Sequence, residues 1–78
     1  MTPRAGGPVR AGTNEGTAAV LVKARRKEVG LTQQQLADAV GVSRQTVISL
    51  ESGDYAPSVY LAVAVARTLQ TSVEALWG

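Results

Sequence analysis

The sequence predicts an all-α domain in which short helices pack around one small core. Apolar residues recur at helical spacing, and the alternation typical of a strand is not found. Serine or threonine precedes the later apolar segments, where a helix N-cap is expected, and glycine follows the first three. A chain of 78 residues has room for a single domain with a thin core. We therefore expect a compact bundle of five short helices.

The first 16 residues differ in composition from the rest of the chain. Residues 1–16 are rich in glycine, hold two of the three prolines and carry no apolar period. This composition predicts a flexible N-terminal tail, with the folded domain at residues 17–78. Arg4 and Arg10 could contact phosphate, but a solvated tail fits the composition better.

The first helix is predicted over residues 17–29, with Gly30 as its left-handed C-terminal cap. Four basic residues lie close together along it, namely Lys23, Arg25, Arg26 and Lys27.

The second helix is predicted to start at Thr32. Thr32 and Gln35 have the spacing of a capping box. The helix ends at Gly41, which tolerates the positive φ of a tight turn. Its apolar residues at helical spacing are Leu36, Ala37 and Val40.

The remaining three helices also begin at capping residues. Ser43 precedes the third helix, which ends near residues 52–53. After the proline-containing loop, Ser58 caps a fourth helix that runs to about Leu69. Thr71 and Glu74 form a second capping box, which opens a last short turn through Trp77.

Residues 33–52 meet the requirements of a helix-turn-helix. Ala37 is the small residue needed where the two helices cross, and Gly41 allows the turn between them. Apolar residues stand where the pair must attach to the core, at Leu36, Val40, Val42, Val47 and Leu50. So many matches at fixed offsets are unusual for a chance helix pair.

The outer face of the third helix has a polar composition that suits base reading. A purely structural hairpin would present generic glutamate and lysine there. Arginine can bond guanine in a bidentate manner, glutamine can bond adenine, and serine and threonine can reach phosphates or bases. The residues on this face are Ser43, Arg44, Gln45, Thr46 and Ser49. The pattern therefore predicts that the third helix enters the major groove of double-stranded DNA.

The composition argues against several other classes of protein. The chain has no cysteine and no histidine, which excludes a disulfide framework, a Cys/His zinc site and the usual nucleophile–base pairs. The acidic residues are scattered, so we expect no metal, no cofactor and no enzymatic activity. The apolar runs are too short to span a bilayer, and no secretory signal is recognised, so a cytoplasmic location is expected. The net charge of +2 is by itself poor evidence for a nucleic-acid partner.

The strings GLTQQQLADAVGVSRQTVISLESGDYAPS and LAVAVARTLQTSVEALW resemble the lambda-repressor-like, Xre/Cro-type helix-turn-helix family. The resemblance runs over residues 22–77 and is greatest to small bacterial regulators with an SRQT recognition helix and a Tyr-x-Pro-Ser loop. It implies five helices and a transcription factor that binds a palindromic operator as a homodimer.

The resemblance also implies roles for individual residues. The base contacts are carried over to Arg44, Gln45 and Ser49, and Ser43 and Thr46 would contact phosphate or bases. Gln33 would direct its side chain and backbone N–H at a phosphate, where the helix dipole favours an anion. The loop at residues 52–55, with Tyr55, would touch the DNA backbone.

A buried ion pair is implied as well. Arg26 matches a family arginine that pairs with a glutamate at the end of the recognition helix, here Glu51. The alternative is that Arg26 simply belongs to the basic cluster on a solvated face. Three residues depart from the family pattern: Arg25 replaces leucine, Gln70 replaces glycine, and Asp54 replaces a frequent lysine or arginine.

A homodimer is expected because a single domain of this charge places few cations on DNA. We predict its interface in the last helix, at Val73, Leu76 and Trp77, with part of the fourth helix. Trp77 could instead cap the monomer core. No small-molecule effector site is recognised, so the expected mode of action is repression by occupancy of promoter DNA, although activation through a polymerase contact stays open.

A rival interpretation is an antitoxin-like or coactivator-like protein-interaction module with the same fold. Ala64, on the expected outer face of the fourth helix, hints at a partner surface. A toxin-like reading frame beside the gene would favour this interpretation.

Overall fold

The computed structural model describes residues 10–78, with side chains described from residue 16 onward. The helices are α1 (Arg10–Val29), α2 (Gln33–Val40), α3 (Arg44–Ser52), α4 (Val59–Thr68) and α5 (Val73–Trp77). Residues 10–78 contain no β-strand, and none of their helices has the length and apolar character needed to cross a membrane. The predicted all-α, five-helix fold is confirmed.

The predicted capping residues begin α2, α3 and α4. Thr32 Oγ1 accepts the N–H of Gln35 at 3.0 Å, and the Thr32 N–H donates to Gln35 Oε1 at 2.9 Å, which completes the capping box. The hydroxyls of Ser43 and Ser58 accept the N–H groups of the residues three positions later. Each of these bonds satisfies an N–H that would otherwise lack a partner in the first helical turn.

The start of α1 differs from the prediction. The helix begins at Arg10, so residues 10–16, assigned to the tail, continue it toward the N-terminus. Gly12 and Gly16 disfavour a helix without forbidding one, and a helix that is already nucleated extends at one hydrogen bond per residue. The rest of the predicted tail, residues 1–9, lies outside the described residues.

The cap of α5 also differs from the prediction. Ser72, rather than Thr71, is the N-cap, because its hydroxyl accepts the N–H of Ala75 at 3.0 Å. The N–H of Thr71 instead donates to the carbonyl of Ala66 at 2.9 Å and so belongs to the end of α4. Gln70 lies between the C-cap of α4 and Thr71. It has a positive φ of 58°, which turns the chain toward α5.

The core draws residues from all five helices. α1 packs against α3 and α5, and α2 packs against α3 and α4. The buried cluster at the centre consists of Val22, Leu36, Ala37, Val47, Leu50, Val65, Ala66, Leu69 and Leu76. This arrangement fixes α2 and α3 as a rigid pair on one side of the bundle.

Leu76, one of the three residues predicted at a dimer interface in α5, is instead buried in the monomer. Its side chain is only 5% exposed and belongs to the monomer core. Val73 and Trp77, the other two residues of that prediction, are half-buried and pack against the same cluster. A helix as short as α5 must direct its few apolar side chains inward to be held on the domain, and little apolar surface is left for a second copy.

Candidate nucleic-acid interface

The turn between α2 and α3 has the geometry predicted from its residues. Gly41 adopts a φ of 77°, and the N–H of Val42 donates to the carbonyl of Ala37 at 3.0 Å. Ala37 is fully buried between the two helices. A side chain larger than a methyl group at this position would push α2 away from α3, because the interior has no free volume to receive it.

The outer face of α3 lies opposite its apolar anchors. Val47 and Leu50 are buried beneath the helix. On the outer side, Ser43, Arg44 and Gln45 are exposed, while Thr46 and Ser49 are half-buried. We call these five residues the polar strip. Its position leaves the two longest side chains, Arg44 and Gln45, accessible to a ligand.

Two residues of the polar strip also stabilise the start of α3. Ser43 Oγ accepts the N–H of Thr46 at 3.2 Å and lies 3.0 Å from Thr46 Oγ1. These hydroxyls are therefore held in fixed positions at the N-terminal end of the helix. The backbone N–H groups of this first turn form the positive end of the helix dipole beside these hydroxyls. This arrangement favours a nearby phosphate.

Gln33, the first residue of α2, is held by α3. Its side-chain amide donates to Glu51 Oε1 at 3.3 Å, and the residue is half-buried. The amide nitrogen has a second hydrogen that can still be donated to a phosphate oxygen. The resemblance implied a phosphate contact for Gln33, which stays a prediction. The bond to Glu51 joins residues far apart in the chain, so no local pattern could have predicted it.

The predicted ion pair between Arg26 and Glu51 is present. Arg26 Nε donates to Glu51 Oε2 at 2.6 Å, and Arg26 Nη2 donates to Glu51 Oε1 at 3.1 Å. The two side chains are 9% and 3% exposed. Arg26 Nη1 also donates to the carbonyl of Leu31 at 2.8 Å, so the guanidinium is bonded on each of its nitrogens.

The basic cluster of α1 does not form one continuous positive patch. Arg26 is buried, as described above, and Arg25 is directed at the end of α4. Arg25 Nε donates to the carbonyl of Leu69 at 2.8 Å and Nη2 to that of Gln70 at 3.4 Å, while Nη1 pairs with Glu28 at 3.1 Å. The exposed members are therefore Lys23 and Lys27.

Arg25 and Gln70, two of the residues that depart from the family pattern, contact each other. Gln70 takes the left-handed conformation that glycine would adopt without strain, and Arg25 bonds the carbonyls at that turn. Arg25 leaves the register of α1 unchanged, since Val22 and Arg26 on the same helix are buried.

The loop after α3 carries a carboxylate held by a serine. The Ser52 hydroxyl lies 3.0 Å from both Asp54 Oδ2 and the carbonyl oxygen of Ser49, and its single hydrogen is shared between these two acceptors. The N–H of Asp54 donates to the same Ser49 carbonyl at 3.0 Å. Tyr55 follows with an exposed side chain. Any contact of this loop with a phosphate backbone therefore includes one fixed negative charge.

Comparison with known proteins agrees with this geometry. The family model described as helix-turn-helix matches residues 22–76, which span α2, α3 and their packing partners. The chain belongs to the Xre/Cro-like helix-turn-helix family. Membership of this family assigns it to the DNA-binding transcriptional regulators.

Relatives in this helix-turn-helix family come from archaea and bacteria. An HTH-type transcriptional regulator of Methanothermobacter thermautotrophicus is 57% identical over 63% of this chain and 71% of its own length. The HTH-type transcriptional regulator YgzD of Bacillus subtilis is 42% identical over 68% of this chain and 80% of its own. The similarity is thus not confined to bacterial proteins, although the resemblance found from the sequence alone was to small bacterial regulators.

Solved helix-turn-helix structures share the fold. The clp gene regulator ClgR from Corynebacterium glutamicum superposes with a TM-score of 0.77 at 27% identity, over 81% of this chain and 67% of its own. The restriction-modification controller protein C.AhdI from Aeromonas hydrophila has a TM-score of 0.77 at 23% identity, over 82% of this chain and 97% of its own.

A hydroxypropylphosphonic acid epoxidase from S. wedmorenis also contains a similar fold. It superposes with a TM-score of 0.76 at 29% identity, over 82% of this chain but only 34% of its own. The similarity therefore concerns about one third of that enzyme. Within residues 16–78 of the present chain, whose side chains are described, no three acidic side chains are grouped as a metal site would require.

Proposed function

We propose that this protein is a sequence-specific regulator that reads the major groove with α3. The observation that carries the proposal is the position of the polar strip, which leaves Ser43, Arg44 and Gln45 exposed while Val47 and Leu50 anchor the same helix in the core. An α-helix fits the major groove of B-form DNA, where each base pair presents a distinct pattern of donors and acceptors.

Base reading is assigned mainly to Arg44 and Gln45. They are the exposed, long side chains in the first turn of α3, and in a helix-turn-helix this end of the recognition helix contacts base edges. Ser49, about one turn further on and half-buried, is assigned a shorter contact. Ser43 and Thr46, whose hydroxyls are fixed at the helix start, are assigned contacts to phosphate or bases.

Phosphate contacts position the domain on the duplex. Gln33 is assigned this role at the start of α2, because its side-chain amide is oriented by Glu51. Tyr55 is assigned a contact to the DNA backbone beside the loop after α3. The net charge of +2 limits how many phosphates one domain can neutralise, and affinity depends strongly on that number.

The limited charge supports a homodimer on a palindromic operator. Two copies double the phosphate contacts and read two half-sites about one helical turn apart, roughly 34 Å. A small regulator of this kind acts where the chromosome is, in the cytoplasm of a bacterial or archaeal cell. Repression by occupancy of promoter DNA follows as its simplest mode of action.

Selection of bound duplexes from a random DNA library tests the proposal. We expect enrichment of a palindromic sequence, and we expect its affinity in gel-shift titrations to fall steeply with salt concentration. If no sequence is enriched and binding is equal on all duplexes, sequence-specific regulation is contradicted. The rival protein-interaction module would then become the better interpretation.

A further inference from the structure

The outward face of α4 carries a shallow apolar groove, whereas the opposite face of the helix packs into the core. Val59 and Tyr60 are 77% and 89% exposed, which is unusual for large apolar side chains on an ordered helix. The opposite side of α4 is buried, at Ala62, Val65 and Ala66. The groove is lined by Val59, Tyr60, Val63, Ala64, Arg67 and Thr68.

The order of these six residues is symmetric along the helix. They form two adjacent rows with a spacing of four residues, at 59–63–67 and at 60–64–68. Together the two rows are centred on the midpoint between positions 63 and 64. An antiparallel copy of α4 with its two-fold axis at that midpoint therefore places 60 opposite 67 near the middle of the face, and 63 and 64 each opposite the same position of the second copy, while 59 and 68 lie at the two margins. A two-fold interface requires this kind of self-complementary patch.

The side chains that become opposed are chemically compatible. Ala64 is small enough to let the helices approach closely at the crossing, where it meets Ala64 of the second copy. Arg67 would lie over the ring of Tyr60, a cation–π contact that occurs twice across the axis. Val59 and Thr68 lie at the margins of the contact. No acidic residue lines the groove, so no unpaired carboxylate is covered.

The two arginines do not oppose each other in this arrangement. Position 67 lies three to four residues from the axis, so the two copies of Arg67 are separated by about 10 Å along the helices. Rows spaced by four residues also interlock with rows of the same spacing, which is a common way for two helices to pack.

We infer that this groove of α4 is the homodimer interface and that its occupant is α4 of a second copy, packed antiparallel about the midpoint of residues 63 and 64. The inference rests on the homodimer in the proposed function and assigns its surface. It keeps the α4 part of the interface predicted from the sequence and omits α5, whose apolar residues pack in or against the monomer core.

The interface is small. A single helix pair covers less than the roughly 800 Å² per partner of a standard interface. We therefore expect a dimer that dissociates in the micromolar range, ~1–100 μM. A palindromic duplex that binds two copies side by side would stabilise it, because both copies are then held at a high effective concentration.

The pairing of position 60 with position 67 gives a test of both surface and register. Tyr60→Lys places a lysine opposite Arg67 at both ends of the interface, so the dimer dissociation constant should rise at least about tenfold through like-charge repulsion. Adding Arg67→Glu to this variant creates two lysine–glutamate pairs across the axis and should restore most of the affinity. Val20→Lys on α1 is the matched control, since Val20 is also an exposed apolar residue and should leave dimerisation unchanged.

Sedimentation equilibrium over a wide concentration range measures all four proteins, and circular dichroism checks that each is folded. Weaker dimerisation of Tyr60→Lys, with recovery of dimerisation in the double variant, supports the inference. A wild type that dimerises, with a Tyr60→Lys variant that dimerises equally well, overturns the α4 interface but leaves the homodimer standing. A wild type that stays monomeric alone and on its selected duplex overturns both, and leaves the groove to a different protein. Base reading by α3 is tested separately, by measuring how the monomer binds a duplex that contains one half-site.

Discussion

The guanidinium of Arg26 in α1 and the carboxylate of Glu51 in the last turn of α3 form a buried ion pair with bonds of 2.6 and 3.1 Å. The same guanidinium bonds the carbonyl of Leu31, and the same carboxylate accepts from the amide of Gln33. The ion pair therefore connects α1, the loop that follows it, the first residue of α2 and α3. This network fixes the orientation of α2 and α3 relative to the body of the domain.

Replacing Glu51 with alanine should destabilise the protein by roughly 3–5 kcal/mol, because the buried charge of Arg26 loses its partner. Urea denaturation followed by circular dichroism measures the change. Glu28→Ala is the control, since it breaks the exposed pair between Arg25 and Glu28 and should cost less than about 1 kcal/mol. Equal losses in the free energy of unfolding would show that the buried pair stabilises the protein no more than the exposed pair.

Gly41→Ala should destabilise the protein by about 1–2 kcal/mol. Gly41 has a φ of 77°, and a β-carbon added there would meet no atom within 4 Å. The cost is therefore the backbone strain of a left-handed conformation, without any steric clash. Thermal and urea denaturation measure it. An unchanged free energy of unfolding would mean that the turn relaxes into another conformation.

Gln33→Ala should weaken binding to all duplexes by a similar factor, about 1 kcal/mol for one lost hydrogen bond. Its assigned partner is a phosphate, which carries no base identity. Gel-shift titration on the selected operator and on an unrelated duplex measures both affinities. Gln34→Ala is the control, because the Gln34 amide is bonded within α2 to Asp38. A loss confined to the selected operator would instead assign Gln33 to base reading.

Asp54→Asn should raise DNA affinity by about 0.5–1 kcal/mol at low salt, because it removes a negative charge from the loop beside the backbone contact. Asparagine keeps an oxygen that can accept the bond from the Ser52 hydroxyl. The gain should shrink as salt is added, since exposed charges are screened. Glu74→Gln makes the same change of charge in α5, outside this loop, and should have little effect. An equal gain from both variants would indicate a general effect of net charge.

The sequence predicted the parts of this structure that local chemistry determines. The caps at Thr32, Ser43 and Ser58 follow from side-chain oxygens that bond an N–H three residues later, and the turn at Gly41 follows from its freedom at positive φ. The polar strip was predicted because its residue types contrast with the apolar side of the same helix.

Features that depend on distant contacts were predicted less well. The start of the first helix was predicted at residue 17 because glycine content was interpreted as disorder, whereas the helix begins at Arg10. Leu76 was assigned to a dimer surface because periodicity does not distinguish the core of one copy from an interface between two. The contacts of Arg25 with the end of α4 join positions more than forty residues apart, and only the fold brings them together.

The central claim is that the polar strip of α3 enters the major groove and reads bases there. The most direct test repeats the library selection with Arg44→Ala and Gln45→Ala, with Lys23→Ala as a control that removes an exposed positive charge from α1. We predict that Arg44→Ala and Gln45→Ala each lose preference at one base position per half-site and bind the wild-type operator about 1–3 kcal/mol more weakly, while Lys23→Ala keeps the full motif. Selection of an unchanged motif with unchanged affinity by both α3 variants would contradict the claim.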